Sequence, residues 1–151
     1  MNIEIKYLAD VPEYEPQVFA LANKEFGNGD KEYFFREIFK RSMNKDKLPI
    51  CFVSFVDGRL AGSVSLWRAD ILLMQDLCPW LSALVVAPEF RGCGVGIRLQ
   101  EFLIDFCKEK GYEDLHLCTK IDGYYEKTGF EYVCDAERAQ NEYIKIYKKI
   151  L

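Results

Sequence analysis

Apolar and polar residues alternate at the start of the chain, with Ile3, Ile5 and Tyr7 on one side, which is the period of a strand. From Val11 to Phe26 the period lengthens. Val18, Phe19, Ala22 and Phe26 fall on one helical face, and Gly27 and Gly29 end it. Asp30 stands where an N-cap belongs, ahead of a second helix whose apolar face is Phe34, Phe35, Ile38 and Phe39. Both aromatic faces read as core packing. Ile50 to Val56 and Leu60 to Trp67 form two strand-like runs around Asp57-Gly58, a strong hairpin signal. Trp80 to Val86 predicts a fourth strand. Gly94 to Lys110 predicts a helix, with Val95, Leu99, Phe102, Leu103, Phe106 and Cys107 on its core face and Gly111 as its C-cap. Asp114 to Thr119 reads as a fifth strand and Asp122 to Lys127 as a short helical stretch. Phe130 to Cys134 and Tyr143 to Tyr147 read as the last two strands.

This order predicts a mixed α/β fold in one domain spanning residues 1–151, with a central sheet of about seven strands flanked by helices. The helical connection at Gly94 to Lys110 makes the fourth and fifth strands parallel. Half of the residues are hydrophobic, enough for a packed core. No apolar run spans a bilayer, and the start lacks the basic and apolar blocks of a signal peptide. Six cysteines without a C-x-x-C pair, and the single histidine His116, argue against a metal site. They suit a reducing, cytoplasmic compartment. A net charge of −4 without a basic stripe speaks against nucleic acid and mildly for a cationic substrate. Nothing in the pattern fixes the oligomeric state, and a homodimer stays open.

Chemistry concentrates where the fourth strand meets the long helix. The apolar run Leu84-Val85-Val86-Ala87 breaks at Pro88, and Arg91-Gly92-Cys93-Gly94-Val95-Gly96 opens the helix. The first amides of a helix have no internal partner, and the helix dipole adds partial positive charge there. Glycines let a phosphate approach the backbone, and Arg91 adds forked donors. The expected ligand therefore carries phosphate. A Walker loop requires Lys-Ser or Lys-Thr after the glycines, and a dinucleotide fingerprint requires G-x-G-x-x-G. Neither occurs here. The other reading is a strand-to-helix turn that binds nothing.

The pattern R-x-x-G-x-G at Arg91 to Gly96 resembles the acetyl-CoA signature of the GNAT superfamily of N-acetyltransferases. Tyr124-Tyr125-Glu126-Lys127-Thr128-Gly129-Phe130 resembles that family's Y-E-K-x-G-F segment, and the element order matches its fold over essentially the whole chain. The resemblance implies acetyl-CoA as co-substrate, no metal, and direct transfer without an acyl-enzyme. It implies that the strand carrying Leu84, Val85 and Val86 bonds the pantetheine arm. Arg91, Gly92, Cys93, Gly94, Val95 and Gly96 would cradle the pyrophosphate. The fourth and fifth strands would splay around the thioester, and Tyr125 would be the general acid. Cys93 reads as a filler position of the turn rather than a nucleophile, and Tyr124 as a core partner. Tyr125 also has a plainer reading, a packed aromatic whose hydroxyl caps a backbone group.

The chemistry asks for such parts. An amine of pKa about 10.4 is neutral about once in 2,500 molecules at pH 7, a penalty of roughly 4.6 kcal/mol. A base or a desolvated pocket must offset that. The oxyanion needs donors, and the thiolate needs a proton, which a phenol can give. Asp76, Glu25, Glu32 and His116 are candidate bases, the carboxylates reading equally as solvated surface groups and His116 as a satisfied strand residue. Two departures from the family stand out. An asparagine common after the fifth strand has no counterpart. Asp76-Leu77-Cys78-Pro79-Trp80-Leu81 resembles a subgroup with D-L-x-P-W-L before the fourth strand, and Trp80 there reads as packing. The leading expectation is transfer of acetyl to a primary amine of a small molecule. A protein or peptide N-terminus, or a non-catalytic acyl-CoA-binding regulatory module, are the alternatives.

Overall fold

The computed structural model describes residues 1–27, 29 and 31–151, so the N-cap expected at Asp30 lies outside the described residues. Strand β1 (Ile3–Tyr7) leads through 3-10 turns at Leu8–Asp10 and Pro12–Tyr14 into helix α1 (Glu15–Phe26). The helix begins four residues later than the periodicity predicts. Pro16 lacks an N–H, and its ring would strike the carbonyl four residues back, so it fits only in the first turn. Helix α2 (Lys31–Arg41) buries Phe35 and Phe39. Strands β2 (Ile50–Val56) and β3 (Arg59–Trp67), strand β4 (Trp80–Val86), helix α3 (Val95–Glu109) and strand β5 (Asp114–Thr119) follow within a residue of expectation. Asp122 to Lys127 is not an α-helix. A 3-10 turn at Tyr125–Thr128 replaces it, closed by Gly129 at φ +93°. Strands β6 (Glu131–Ala139) and β7 (Glu142–Ile150) form a hairpin longer than the apolar alternation suggests.

The seven strands make one sheet in the order β1-β2-β3-β4-β5-β7-β6. Every neighbouring pair is antiparallel except β4 and β5. One face packs on α3 through Ile50, Phe52, Leu81, Leu99, Leu103, Leu115, Leu117 and Tyr147. The other meets α1 and α2 through Cys51, Val53, Phe55 and Trp67. Under the β3–β4 loop, Ile71, Trp80, Ile144 and Ile146 extend that second face.

β4 and β5 share one ladder position, Trp80 opposite His116, where the His116 amide donates to the Pro79 carbonyl at 3.1 Å. Beyond it the strands part. The cause lies in β4. Ser82 faces Ser65 and Val85 faces Ser63, so Ala83 and Leu84 together oppose Val64. Ala83 takes φ +49°, and this bulge bends the strand away from β5. The extra residue also resets the alternation. Leu84 and Val86 join Leu81 on the α3 face, while Ala83 packs toward α1 and α2.

Candidate active site

After β4 a 3-10 turn at Pro88–Phe90 delivers the glycine turn to the start of α3. Gly92 and Gly94 adopt φ +76° and +82°, a region that costs other L-residues about 1–2 kcal/mol. Gly94 is the N-cap, and no side chain caps the helix. Arg98 donates to the Gly94 carbonyl at 3.1 Å, but the amides of Gly92 to Gly96 find no protein acceptor among the described residues. No carboxylate occupies the first turn. A set of unpaired donors therefore stands at the positive end of a 15-residue helix, exposed at Gly92 to Gly94 and buried at Val95 and Gly96. A Cβ at Gly92 or Gly94 would meet nothing within 4 Å, so no packing demands glycine there; the backbone angle and the open approach do. Gly96 differs, because a Cβ there would collide with the Tyr124 hydroxyl.

The other residues of the turn divide. Cys93 is exposed, and Val95 is buried in the core, so Val95 offers an anion only its amide. Arg91 turns back: its Nε donates to the Val86 carbonyl at 3.1 Å, and a terminal nitrogen lies 3.5 Å from Glu25. Leu84 and Val86 are half-buried on the α3 face, whereas Val85 between them is buried on the other.

Tyr125 reaches the opening from the α3 side. Its ring packs edge-on against Tyr124 at 5.0 Å and Phe130 at 6.1 Å. Its carbonyl accepts from the Phe130 amide and the Thr128 hydroxyl, but its own hydroxyl has no hydrogen bond among the described residues. Burial, followed by the neighbouring Tyr124, Cys118 and Asp70, pushes the phenol well above its ordinary pKa and keeps it protonated. Gln100, fully buried on α3, accepts from Thr128 at 2.6 Å and lies beside the Tyr124 hydroxyl, fixing this turn to the helix.

None of the four base candidates reaches the opening as a free group. Glu32 pairs with Arg36 at 2.9 Å, Glu25 with Arg91, and Asp76 is exposed. His116 is 3% exposed, with Nδ1 3.3 Å from the Pro79 carbonyl. Trp80 is fully buried, donating Nε1 to the Leu77 carbonyl at 2.6 Å. A carboxylate that the sequence did not single out stands there instead. Asp70, on the β3–β4 loop, accepts a hydrogen bond from Ser82 at 2.8 Å and faces the Cys118 thiol. Burial raises its pKa above the usual carboxylate range.

The profile of the Acetyltransferase (GNAT) family matches residues 15–130. The chain belongs to that family. N-alpha-acetyltransferase 30 of Schizosaccharomyces pombe is 26% identical over 98 residues, which is 62% of this chain and 63% of that protein. The match thus spans less than two thirds of that relative. Among solved structures, an aminoglycoside 6'-N-acetyltransferase complexed with coenzyme A has a TM-score of 0.74 at 19% identity, covering 99% of this chain and 97% of that one. Ard1 from Thermoplasma volcanium has a TM-score of 0.75 at 16% identity, covering 100% and 99%. These likenesses show a shared acyl-CoA N-acyltransferase fold. The turn at Arg91 to Gly96 carries the unpaired amides of Gly92 to Gly96, a donor set whose chemistry fits a diphosphate such as that of coenzyme A. No group of His, Cys, Asp and Glu side chains that could hold a metal occurs among the described residues.

Proposed function

We propose that residues 1–151 form a single GNAT domain that moves an acetyl group from acetyl-CoA to the primary amine of a small molecule by direct attack. The observation that carries this reading is the opening between β4 and β5, which joins the anion-binding turn to the unengaged hydroxyl of Tyr125. The amides of Gly92 to Gly96 hold the diphosphate. Arg91 braces the turn against β4 through the Val86 carbonyl. Past the bulge, the β4 backbone facing β5 has no ladder partner among the described residues, so its N–H and C=O groups receive the pantetheine arm as a strand would. Leu84 and Val86 cover that arm on the α3 side. An amide at the bulge supplies the donor for the developing oxyanion. Tyr125 is the catalytic acid, giving its proton to the departing thiolate. Six free cysteines suit the cytoplasm as the site of action. No described helix is long and apolar enough to cross a membrane.

A peptide N-terminus is the second acceptor reading, favoured by the likeness to N-alpha-acetyltransferase 30 and Ard1. An amine panel separates the two. Release of free thiol from acetyl-CoA is followed with polyamines, aminoglycosides and short peptides. Selective turnover on a small amine supports the first reading. Turnover confined to peptides supports the second. Coenzyme A binding without transfer to any acceptor overturns both in favour of a non-catalytic module.

A further inference from the structure

Asp70 closes one end of the opening. Ser82 lies two residues past Trp80 on β4, and Cys118 two residues past His116 on β5, so the pair stands on opposite lips just beyond the last ladder position. The Asp70 carboxylate accepts from the Ser82 hydroxyl at 2.8 Å and lies near the Cys118 thiol. The sheet separates this carboxylate from Tyr125. Cys118 and Trp80 belong to the face under the β3–β4 loop, whereas Tyr125 packs on the α3 face. Asp70 and Tyr125 are nevertheless close enough for the carboxylate to add to the rise of the phenol's pKa. A carboxylate and a phenol therefore face one opening from opposite sides. Acyl transfer through a tetrahedral intermediate needs a base beside the incoming amine and an acid beside the departing sulfur, and these two groups supply such a pair.

We infer that Asp70 is the catalytic base, receiving a proton from the acceptor ammonium at the mouth of the β4–β5 opening. This inference rests on the acetyltransferase reading and names the residue that reading lacks. The balance is complete. One N–H proton passes to the Asp70 carboxylate and then to solvent. The nitrogen lone pair forms the N–C bond as the C–S bond breaks. Tyr125 protonates the sulfur and recovers a proton from the second N–H, so the product amide keeps one hydrogen.

The groups around Asp70 suit the task. Burial disfavours its ionised form, which moves it toward the working range of a base. The Ser82 hydrogen bond, the nearby Cys118 thiol, Arg138 on β6 and Lys31 on α2 act the other way and keep it able to ionise. Arg138 is held by Glu142 on β7, which leaves Asp70 without a direct salt bridge among the described residues. Its carboxylate is thus available to an incoming cation.

The test is Asp70→Asn, assayed from pH 6 to 10 against an alkyl amine that the wild type accepts and against hydroxylamine, which is already neutral at pH 7. The expected result is a loss in kcat/KM of about 100-fold or more for the alkyl amine at pH 7. The loss shrinks with hydroxylamine and with rising pH, and coenzyme A affinity is unchanged. Equal losses for both amines, or none, overturn the inference. If Asp70→Asn fails to fold, Ser82→Ala replaces it: the lost hydrogen bond moves the base limb of the pH profile upward, and an unmoved limb overturns the inference. A wild-type enzyme that binds coenzyme A yet acetylates no amine defeats the functional reading itself, and Asp70's role with it.

Discussion

Gly94→Ala probes the cofactor turn with the least disturbance. Gly94 sits at φ +82° with nothing within 4 Å of its Cβ position, so alanine adds no collision in the free protein. The cost is conformational, about 1–2 kcal/mol for the left-handed angle, less about 0.4–1 kcal/mol returned through the stiffer unfolded chain. A net loss of about 1 kcal/mol lowers the melting temperature by about 2–4 °C in a domain of this size. Binding should suffer more. The new methyl projects into the space where phosphate meets the amides, and losing one charge-assisted hydrogen bond costs about 1.5–3 kcal/mol, a ten- to hundred-fold weakening. Gly111 supplies the control. It has φ +84° and open surroundings at the other end of α3, so Gly111→Ala carries the same strain far from the turn. Calorimetric titration with coenzyme A and thermal melts of both variants decide the matter. Equal melting losses with weakened binding only in Gly94→Ala is the expected pattern. Binding within about threefold of wild type in Gly94→Ala would refute the assignment of the diphosphate to these amides.

Tyr125→Phe keeps the packing on Tyr124 and Phe130, so it should fold normally and bind coenzyme A as wild type does, while kcat falls by about 100-fold or more; unchanged thiol release removes Tyr125 from the chemistry. Cys78 and Cys93 are exposed, whereas burial pushes the Cys51 and Cys107 thiols up to about 12, so mass spectrometry after brief iodoacetamide treatment should find label on the first two alone among these four. Coenzyme A should then shield Cys93 and leave Cys78 reactive; equal labelling with and without it contradicts the site. Asp70 also predicts a pH-dependent stability. Its folded pKa lies above the unfolded value near 3.9, so folding binds a proton. The wild type is relieved of this cost below that unfolded value and bears it as pH rises through the folded one. Asp70→Asn should therefore melt higher than wild type at pH 7 to 8, with the gap closing toward pH 4; a constant gap refutes the shift.

Much of this architecture is written locally. β2 and β4 end close to where their apolar runs end, because a turn at Asp57-Gly58 and the ring of Pro88 stop them. The glycine turn is equally legible, since Gly92 and Gly94 serve backbone angles that few other residues adopt. The β6–β7 hairpin runs longer than its pattern. Asp135 and Glu137 interrupt the apolar alternation, but an edge strand tolerates and even profits from charge. The active site proper is a different matter. The bulge at Ala83 carries no glycine or asparagine to announce its positive φ, so the reset of side-chain alternation in β4 is silent in the sequence. Asp70 sits in Arg68-Ala69-Asp70-Ile71, an unremarkable loop opening. It accepts a hydrogen bond from Ser82 and lies near Cys118, 12 and 48 positions along the chain, a neighbourhood that only the folded sheet assembles. The exposed Asp76 carried more local signal and has no part in the opening.

Hydrogen exchange of the backbone, with and without coenzyme A, tests the central claim most directly. The amides of Leu84 and Val86, on the side of β4 away from β3, and those at 92–97 should slow markedly on binding, while those of β1, β6 and the exposed face of α2 keep their rates. Slowing confined to β6 and β7, or an absence of protection at Gly92 to Gly96 under saturating coenzyme A, would contradict the account.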